Sequence, residues 1–298
     1  MPDWTIRPFR SMADAAPQYA LWLEATARLP RAWRSCLRNV EHQLAQAHAA
    51  PASRLYAERP DGSLAGYIGV HPPFEWSPQA HGPPSESLGW AIPFGFPWTS
   101  PRDPSLEVAL YDEMVRSIPE TFAASPRDIY IQRFRETWTE HIEFLTARRW
   151  RLLKRLPLLG RAVGAPTAPP ALSTVRMSDL GLVADLARSD PTAPDMTTEQ
   201  LRARCDGGWI DPDAFWRLGD RGAFAMETRG RYSAVTAFFA LPEAWDDTLA
   251  AASAHAGALG AREIYFTVEP HERPLREALD ARGFAEVDAG VYYVRDAD

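Results

Sequence analysis

Two stretches of this chain spell the same structural unit. The first runs Ile129-Tyr130-Ile131-Gln132, then a polar helix through His141 and Phe144, then Ala147-Arg148-Arg149-Trp150 and a strand from Arg151. The second runs Ile264-Tyr265-Phe266-Thr267-Val268, then a helix through Leu275 and Leu279, then Ala281-Arg282-Gly283-Phe284 and a strand ending Val291-Tyr292-Tyr293-Val294. Each is strand, amphipathic helix, tight turn with an aromatic, strand. One α/β unit written twice predicts two domains of like topology.

The 298 residues, 46% of them hydrophobic, suffice for two ordinary cores. The formal charge of −7 argues against nucleic acid, which needs a basic face. No apolar run approaches the roughly 20 residues of a membrane span. The start, MPDWTIRPFR, lacks a signal-peptide apolar region. Cys36 and Cys205 are the only cysteines, so no disulfide framework exists. A soluble cytoplasmic protein is the expectation; the oligomeric state is not legible. Lys154 is the only lysine and sits in an apolar strand pattern, which leaves little room for lysine chemistry.

Alternation and helical spacing divide the chain further. Trp4–Phe9 reads as a strand, and Gln18–Leu29 and Ala32–Ala49 as helices, the second with Trp33, Leu37, Val40, Leu44 and Ala47 on one stripe. Arg54–Glu58 and Leu64–Val70 are strands around the turn Pro60-Asp61-Gly62. A proline-rich loop covers His71–Pro84, then a strand about Ser87–Phe94, then a helix with Leu106, Leu110, Met114 and Ile118 inward. The division predicted is a first domain over 1–163, a Pro-rich linker at 164–170 and a shorter second domain over 171–298. In the second half, helices are expected near Leu180–Ala187, Thr197–Cys205 and Thr248–Leu259, the last stopped by Gly260. Strands are expected at Gly222–Thr228 and Tyr232–Leu241.

Strand, two helices, hairpin, strand, helix, strand, helix, strand resembles the order of the GNAT N-acetyltransferase superfamily, here twice in tandem. Phe239-Ala240-Leu241-Pro242-Glu243 resembles the end of that fold's fourth strand. Leu279-Asp280-Ala281-Arg282-Gly283-Phe284 and Leu145-Thr146-Ala147-Arg148-Arg149-Trp150 resemble the end of its fourth helix. The resemblance implies an α/β fold (an α+β mixed sheet) of two acyl-CoA N-acyltransferase domains. It implies acetyl-CoA as cosubstrate, no metal, and an amine or peptide acceptor. The coenzyme-binding motifs are degenerate in both halves. The family's Gly-rich loop gives way to Ser100-Pro101-Arg102-Asp103-Pro104-Ser105 in the first and Glu243-Ala244-Trp245-Asp246-Asp247 in the second. Asp103, and Asp246 or Asp247, are expected to cap the following helices by accepting from the N–H groups a phosphate needs. Leu145 and Leu279 stand where the family usually has a tyrosine acid, and Trp138 and Glu272 replace a common asparagine.

The first half is therefore the expected coenzyme site, with Ile92, Phe94, Arg102 and Ser105 as binding residues. Glu86 and Glu136 are the candidate bases that take a proton from the attacking amine; a solvated strand-end carboxylate is the ordinary reading of each. His141 reads as a polar residue on a helix surface. Trp90, Phe94, Phe96 and Trp98 line a channel or pack as core, and the sequence leaves both open. Cys36, His42 and His48 repeat every six residues, off a common helix face, so a zinc site is not expected. Besides an N-acetyltransferase acting on an amine, a non-catalytic protein that binds a ligand or partner remains open.

Overall fold

The computed structural model describes residues 3–32, 36–47, 50–75, 90–122, 129–164, 171–269 and 272–296. It divides into two compact units, and neither is one contiguous stretch. The first comprises Met1–Pro30, Leu37–Arg155 and Val291–Asp298; the second comprises Arg31–Cys36 and Leu156–Gly290. Of the expected linker at 164–170, only Gly164 falls among the described residues.

The first unit runs through strand β1 (Thr5–Pro8), helices α1 (Ala15–Ala25) and α2 (Leu37–Ala47), and strands β2 (Arg54–Glu58), β3 (Leu64–Gly69), β4 (Phe74–Glu75), β5 (Trp90–Pro93) and β6 (Trp98–Thr99). Helix α3 (Pro104–Thr121), strand β7 (Ile129–Arg135), helix α4 (Thr139–Thr146) and the start of strand β8 (Arg151–Ala162) follow. The expected stripe on α3 is buried: Leu106, Leu110, Met114 and Ile118 are at most 1% exposed. Helix α2 starts five residues later than its periodicity suggests. Strands β1-β2-β3-β6 form one antiparallel sheet; β4-β5-β7 belong to another, in which β5 and β7 are parallel. The other neighbour of β7 is Val291–Asp296, whose Val294 packs fully buried beside Ile129 and Ile131.

The second unit runs through β9 (Ser173–Thr174), α5 (Leu180–Ser189), α6 (Thr198–Asp206), β10 (Phe215–Leu218), β11 (Gly222–Arg229), β12 (Tyr232–Ala240), α7 (Trp245–Ala258), β13 (Glu263–Thr267), α8 (Arg273–Asp280) and the first half of β14 (Ala285–Asp296). Strand order is β8-β13-β12-β11-β10-β9, with β12 and β13 parallel. Helix α7 ends as expected: Gly260 sits at φ 85 and the Ala261 N–H reaches the Ala256 carbonyl at 3.0 Å. It starts three residues early, because the turn Pro242–Ala244 feeds straight into it. Strand β10 was not expected from the sequence; its four residues pair with both β9 and β11.

The repeat survives at the level of single hydrogen bonds. The turn after α4 has Arg149 at φ 63 and that after α8 has Gly283 at φ 75. Trp150 N–H donates to the Leu145 carbonyl and Phe284 N–H to that of Leu279, both at 3.2 Å. Arg148 and Arg282 each donate back to the carbonyl four residues earlier.

Candidate active site

In the first unit, β5 and β7 run side by side only to the point where Phe94 N–H donates to the Ile131 carbonyl, at 2.8 Å. There the chain turns away. Gly95 N–H bonds to the Gly69 carbonyl, and Trp98 and Thr99 pair with Tyr67 and Gly66 of β3. Strand β7 continues alone on that side through Gln132–Arg135. Two parallel strands thus diverge, leaving a wedge between them over which α4 packs.

His141 of α4 occupies the wedge. Its ring lies 4.0 Å from that of Phe96 and 5.2 Å from Trp98 on one side, and 6.2 Å from Phe134 on the other. It is 4% exposed, so it is not the surface histidine that the helix pattern suggests. Burial, with the charges of Arg102 and Arg28 adding to it, pushes its pKa down to about 3, which keeps the ring neutral. Among the described residues neither ring nitrogen has a hydrogen-bond partner, and neither polar side-chain atom of the buried Gln132 has one. Gln132 lies between Tyr130 and Phe134 on β7, and alternation puts all three on the wedge face. Four buried polar atoms without partners are costly, of order 1–3 kcal/mol each. A ligand that carries amide donors and acceptors would satisfy them.

The start of α3 offers no ready anion site. As expected, Asp103 caps: its Oδ1 accepts from Ser105 N–H at 2.9 Å, Leu106 N–H at 3.1 Å and the Ser105 hydroxyl at 2.6 Å. Those bonds, the Ser105 hydroxyl first, hold the Asp103 pKa below the usual carboxylate range. Pro104 has no N–H to offer. The buried Glu107 places a second carboxyl in the first turn. Arg102 is engaged by Glu107 at 3.1 Å and Glu140 at 2.7 Å. A phosphate there would meet a carboxylate and no free donor.

The remaining expected residues fall as follows. Ile92 is fully buried in β5, paired with Tyr130. Phe94 is core, its ring within 6 Å of those of Tyr111, Tyr130 and Trp150. Glu136 forms a two-oxygen ion pair with Arg155 at 2.7–3.0 Å, which lowers its pKa and occupies the lone pairs a base would use. Glu86 lies outside the described residues. Leu145 is fully buried and Trp138 donates its indole N–H to the Pro30 carbonyl. Gln132 was not singled out by sequence. Its signal was a lone amide in the apolar run Ile129-Tyr130-Ile131.

The second unit has the same divergence, between β12 after Val235 and β13 after Phe266. Here Phe238, Trp245, Phe266 and Phe284 fill it, in ring contacts of 4.9–5.8 Å. The expectation for Asp246 and Asp247 is corrected: neither caps α7. Asp246 pairs with Arg282 and Asp247 with Arg221, both facing outward, because the preceding turn leaves no N-cap position for them. The helix start is closed by packing, with Trp245 and Thr248 buried. Among the described residues no group of three or more His, Cys, Asp or Glu is placed to hold a metal. No helix among them is long and apolar enough to cross a membrane.

Solved structures share this architecture over the whole chain. A tandem GNAT protein from the clavulanic acid biosynthesis pathway superposes with a TM-score of 0.57 at 15% identity, covering 99% of both chains. A GCN5-related N-acetyltransferase from Sphaerobacter thermophilus gives 0.50 at 15% identity, covering 100% of this chain and 97% of that one. N-myristoyltransferase of Saccharomyces cerevisiae, solved with bound myristoyl-CoA, gives 0.54 at 10% identity, covering 99% of this chain and 78% of that one. No protein-family model and no curated protein matches the sequence. The chain has the tandem GNAT fold, a mixed α/β architecture.

Proposed function

We propose that the first unit binds the acyl-pantetheine end of an acyl-coenzyme A and that the chain is an N-acyltransferase acting on an amine. The observation that carries this is the wedge between the diverging strands, faced by the partnerless polar atoms of Gln132 and His141. The shared fold of acyl-CoA-dependent transferases supports it. The thioester supplies the activated acyl group. The chain's own residues bind and orient the arm and exclude water from it, and positioning of this kind accounts for much of such a reaction's rate. Neutral His141 offers one N–H and one acceptor nitrogen to the arm's amides. Recognition then rests on the arm, because the start of α3 repels the diphosphate.

A second reading, ligand binding without transfer, is favoured by the Glu136–Arg155 pair and by Leu145. Calorimetric titration with acetyl-CoA, followed by a thiol-release assay across an amine panel, separates the two. Binding with release supports the transferase, and binding without release supports the second reading. No heat and no thermal shift with acetyl-CoA would end the first. Gln132→Met should weaken acetyl-CoA binding about 5- to 30-fold, the cost of one to two lost hydrogen bonds.

A further inference from the structure

The chain beside the wedge leads directly to the start of α3. Trp98, whose ring lies 5.2 Å from that of His141, is followed by Thr99 and then by the short loop to Asp103. A nucleotide diphosphate on an arm held against His141 needs anion contacts, and this helix start has none to spare. The Asp103 N–H donates to the Thr99 hydroxyl at 3.0 Å. Pro104 has no N–H. Ser105 and Leu106 donate to the Asp103 carboxylate, and the Glu107 N–H donates to the Asp103 carbonyl at 2.9 Å. The cations are committed as well. Arg102 and Arg28 share Glu140, at 2.7 and 2.8 Å. Arg59 donates to the carbonyls of Leu64 and Ser100, both at 2.8 Å. The Ser100 hydroxyl donates to Glu24 at 3.2 Å, which brings one more carboxylate to the loop. In the second unit, the start of α7 is no better supplied. Asp246 and Asp247 lie in its first turn, Ala244, Trp245 and Thr248 are buried, and the Thr248 hydroxyl donates back to the Ala244 carbonyl at 2.8 Å.

A helix start favours an anion through its free N–H groups and its dipole. Beside Asp103 a diphosphate finds no free N–H and meets a carboxylate, so it would give up water and gain nothing in return. We infer, on the footing of the transferase reading above, that the acyl donor presents its pantetheine arm without a nucleotide diphosphate. Such an arm is carried by a carrier protein, through a single phosphodiester, or by a free pantetheine thioester. Coenzyme A is then the weaker ligand, held by its arm alone.

The test is calorimetric titration of the full chain with acetyl-pantetheine, acetyl-CoA and an acetylated acyl carrier protein, at low and at high salt. Acetyl-CoA should bind about 3- to 10-fold more weakly than acetyl-pantetheine at low salt, and the gap should close as salt screens the opposing charges. Asp103→Ser keeps a cap and should narrow the low-salt gap while leaving the acetyl-pantetheine affinity unchanged. A carrier-held arm that binds more tightly than acetyl-pantetheine identifies a carrier protein as the source; one that binds no more tightly identifies the free thioester. Acetyl-CoA binding as tightly as acetyl-pantetheine, or more tightly, overturns the inference. Gln132→Met acts on the arm and should weaken acetyl-pantetheine and acetyl-CoA by the same factor. If it changes neither, the arm does not lie in the wedge, and it is the transferase reading that falls, whatever the order of the donors.

Discussion

At the scale of single residues, the two copies of the repeat differ at one telling position. Arg149 and Gly283 hold the same left-handed turn, and only glycine does so without a penalty of about 1–2 kcal/mol. Arg149→Gly should therefore stabilise the chain by about 1 kcal/mol in urea unfolding, whereas Gly283→Ala should cost a similar amount. His141 sets a pH dependence. Its folded pKa of about 3 lies below the ordinary 6.5, so between those values the unfolded chain binds a proton that the folded chain refuses. Stability is then full above pH 6.5 and falls as the pH drops, by about 2 kcal/mol at pH 5 from this residue. His141→Phe should remove that share of the slope; an unchanged urea midpoint profile would contradict the burial argument. Asp103→Ser keeps a cap and removes its charge. Stability should change by less than about 0.5 kcal/mol, and acetyl-CoA should bind more tightly by a margin that shrinks in high salt. The Asp103 cap was legible because an N-cap is local, an aspartate followed by Pro104. The burial of His141 was not, because the helix pattern around it is polar and the rings that enclose it come from Phe96, Trp98 and Phe134.

At the scale of elements, the core stripes were plain in the sequence and the strand pairings were not. Leu106, Leu110, Met114 and Ile118 recur at helical spacing, and all four are buried. Nothing local announces that the chain after Phe94 leaves β7 for β3, since that depends on Gly69 accepting the Gly95 N–H. Strand β10 was hidden for a related reason: four residues, Phe215–Leu218, are too few to display alternation. The Glu136–Arg155 pair joins positions 19 apart on different elements, so Glu136 looked like a free carboxylate. In the second unit, the closeness of α7 to β11 gives a direct test. A Cβ at Gly222 would stand 2.1 Å from the Thr248 hydroxyl, near the helix backbone. Gly222→Ala should cost about 1–3 kcal/mol, and Thr248→Ala in the same chain should recover part of it. A double variant no more stable than Gly222→Ala alone would mean that the strand, rather than the helix, absorbs the strain.

At the scale of the whole molecule, the repeat made two domains of one fold legible, yet a contiguous pair of halves is not what the units are made of. Alternation in Val291-Tyr292-Tyr293-Val294 identifies a strand without naming its neighbour, and that neighbour is β7 of the first unit. Val294 is fully buried beside Ile129 and Ile131. Val294→Ala should cost about 2 kcal/mol, and hydrogen exchange should place the loss in β7 and not in β13. Residues 1–163 expressed alone should show β7 unprotected and a tendency to self-associate through its bare edge. The same strand imposes a delay on synthesis. Roughly 135 residues separate Arg155 from Val291, so on a ribosome adding about 5–20 residues per second the first unit waits about 7–27 s for its missing strand. Throughout that interval the nascent chain carries an unsealed sheet, and what shields it until Val291 emerges decides how much of the protein reaches its native form.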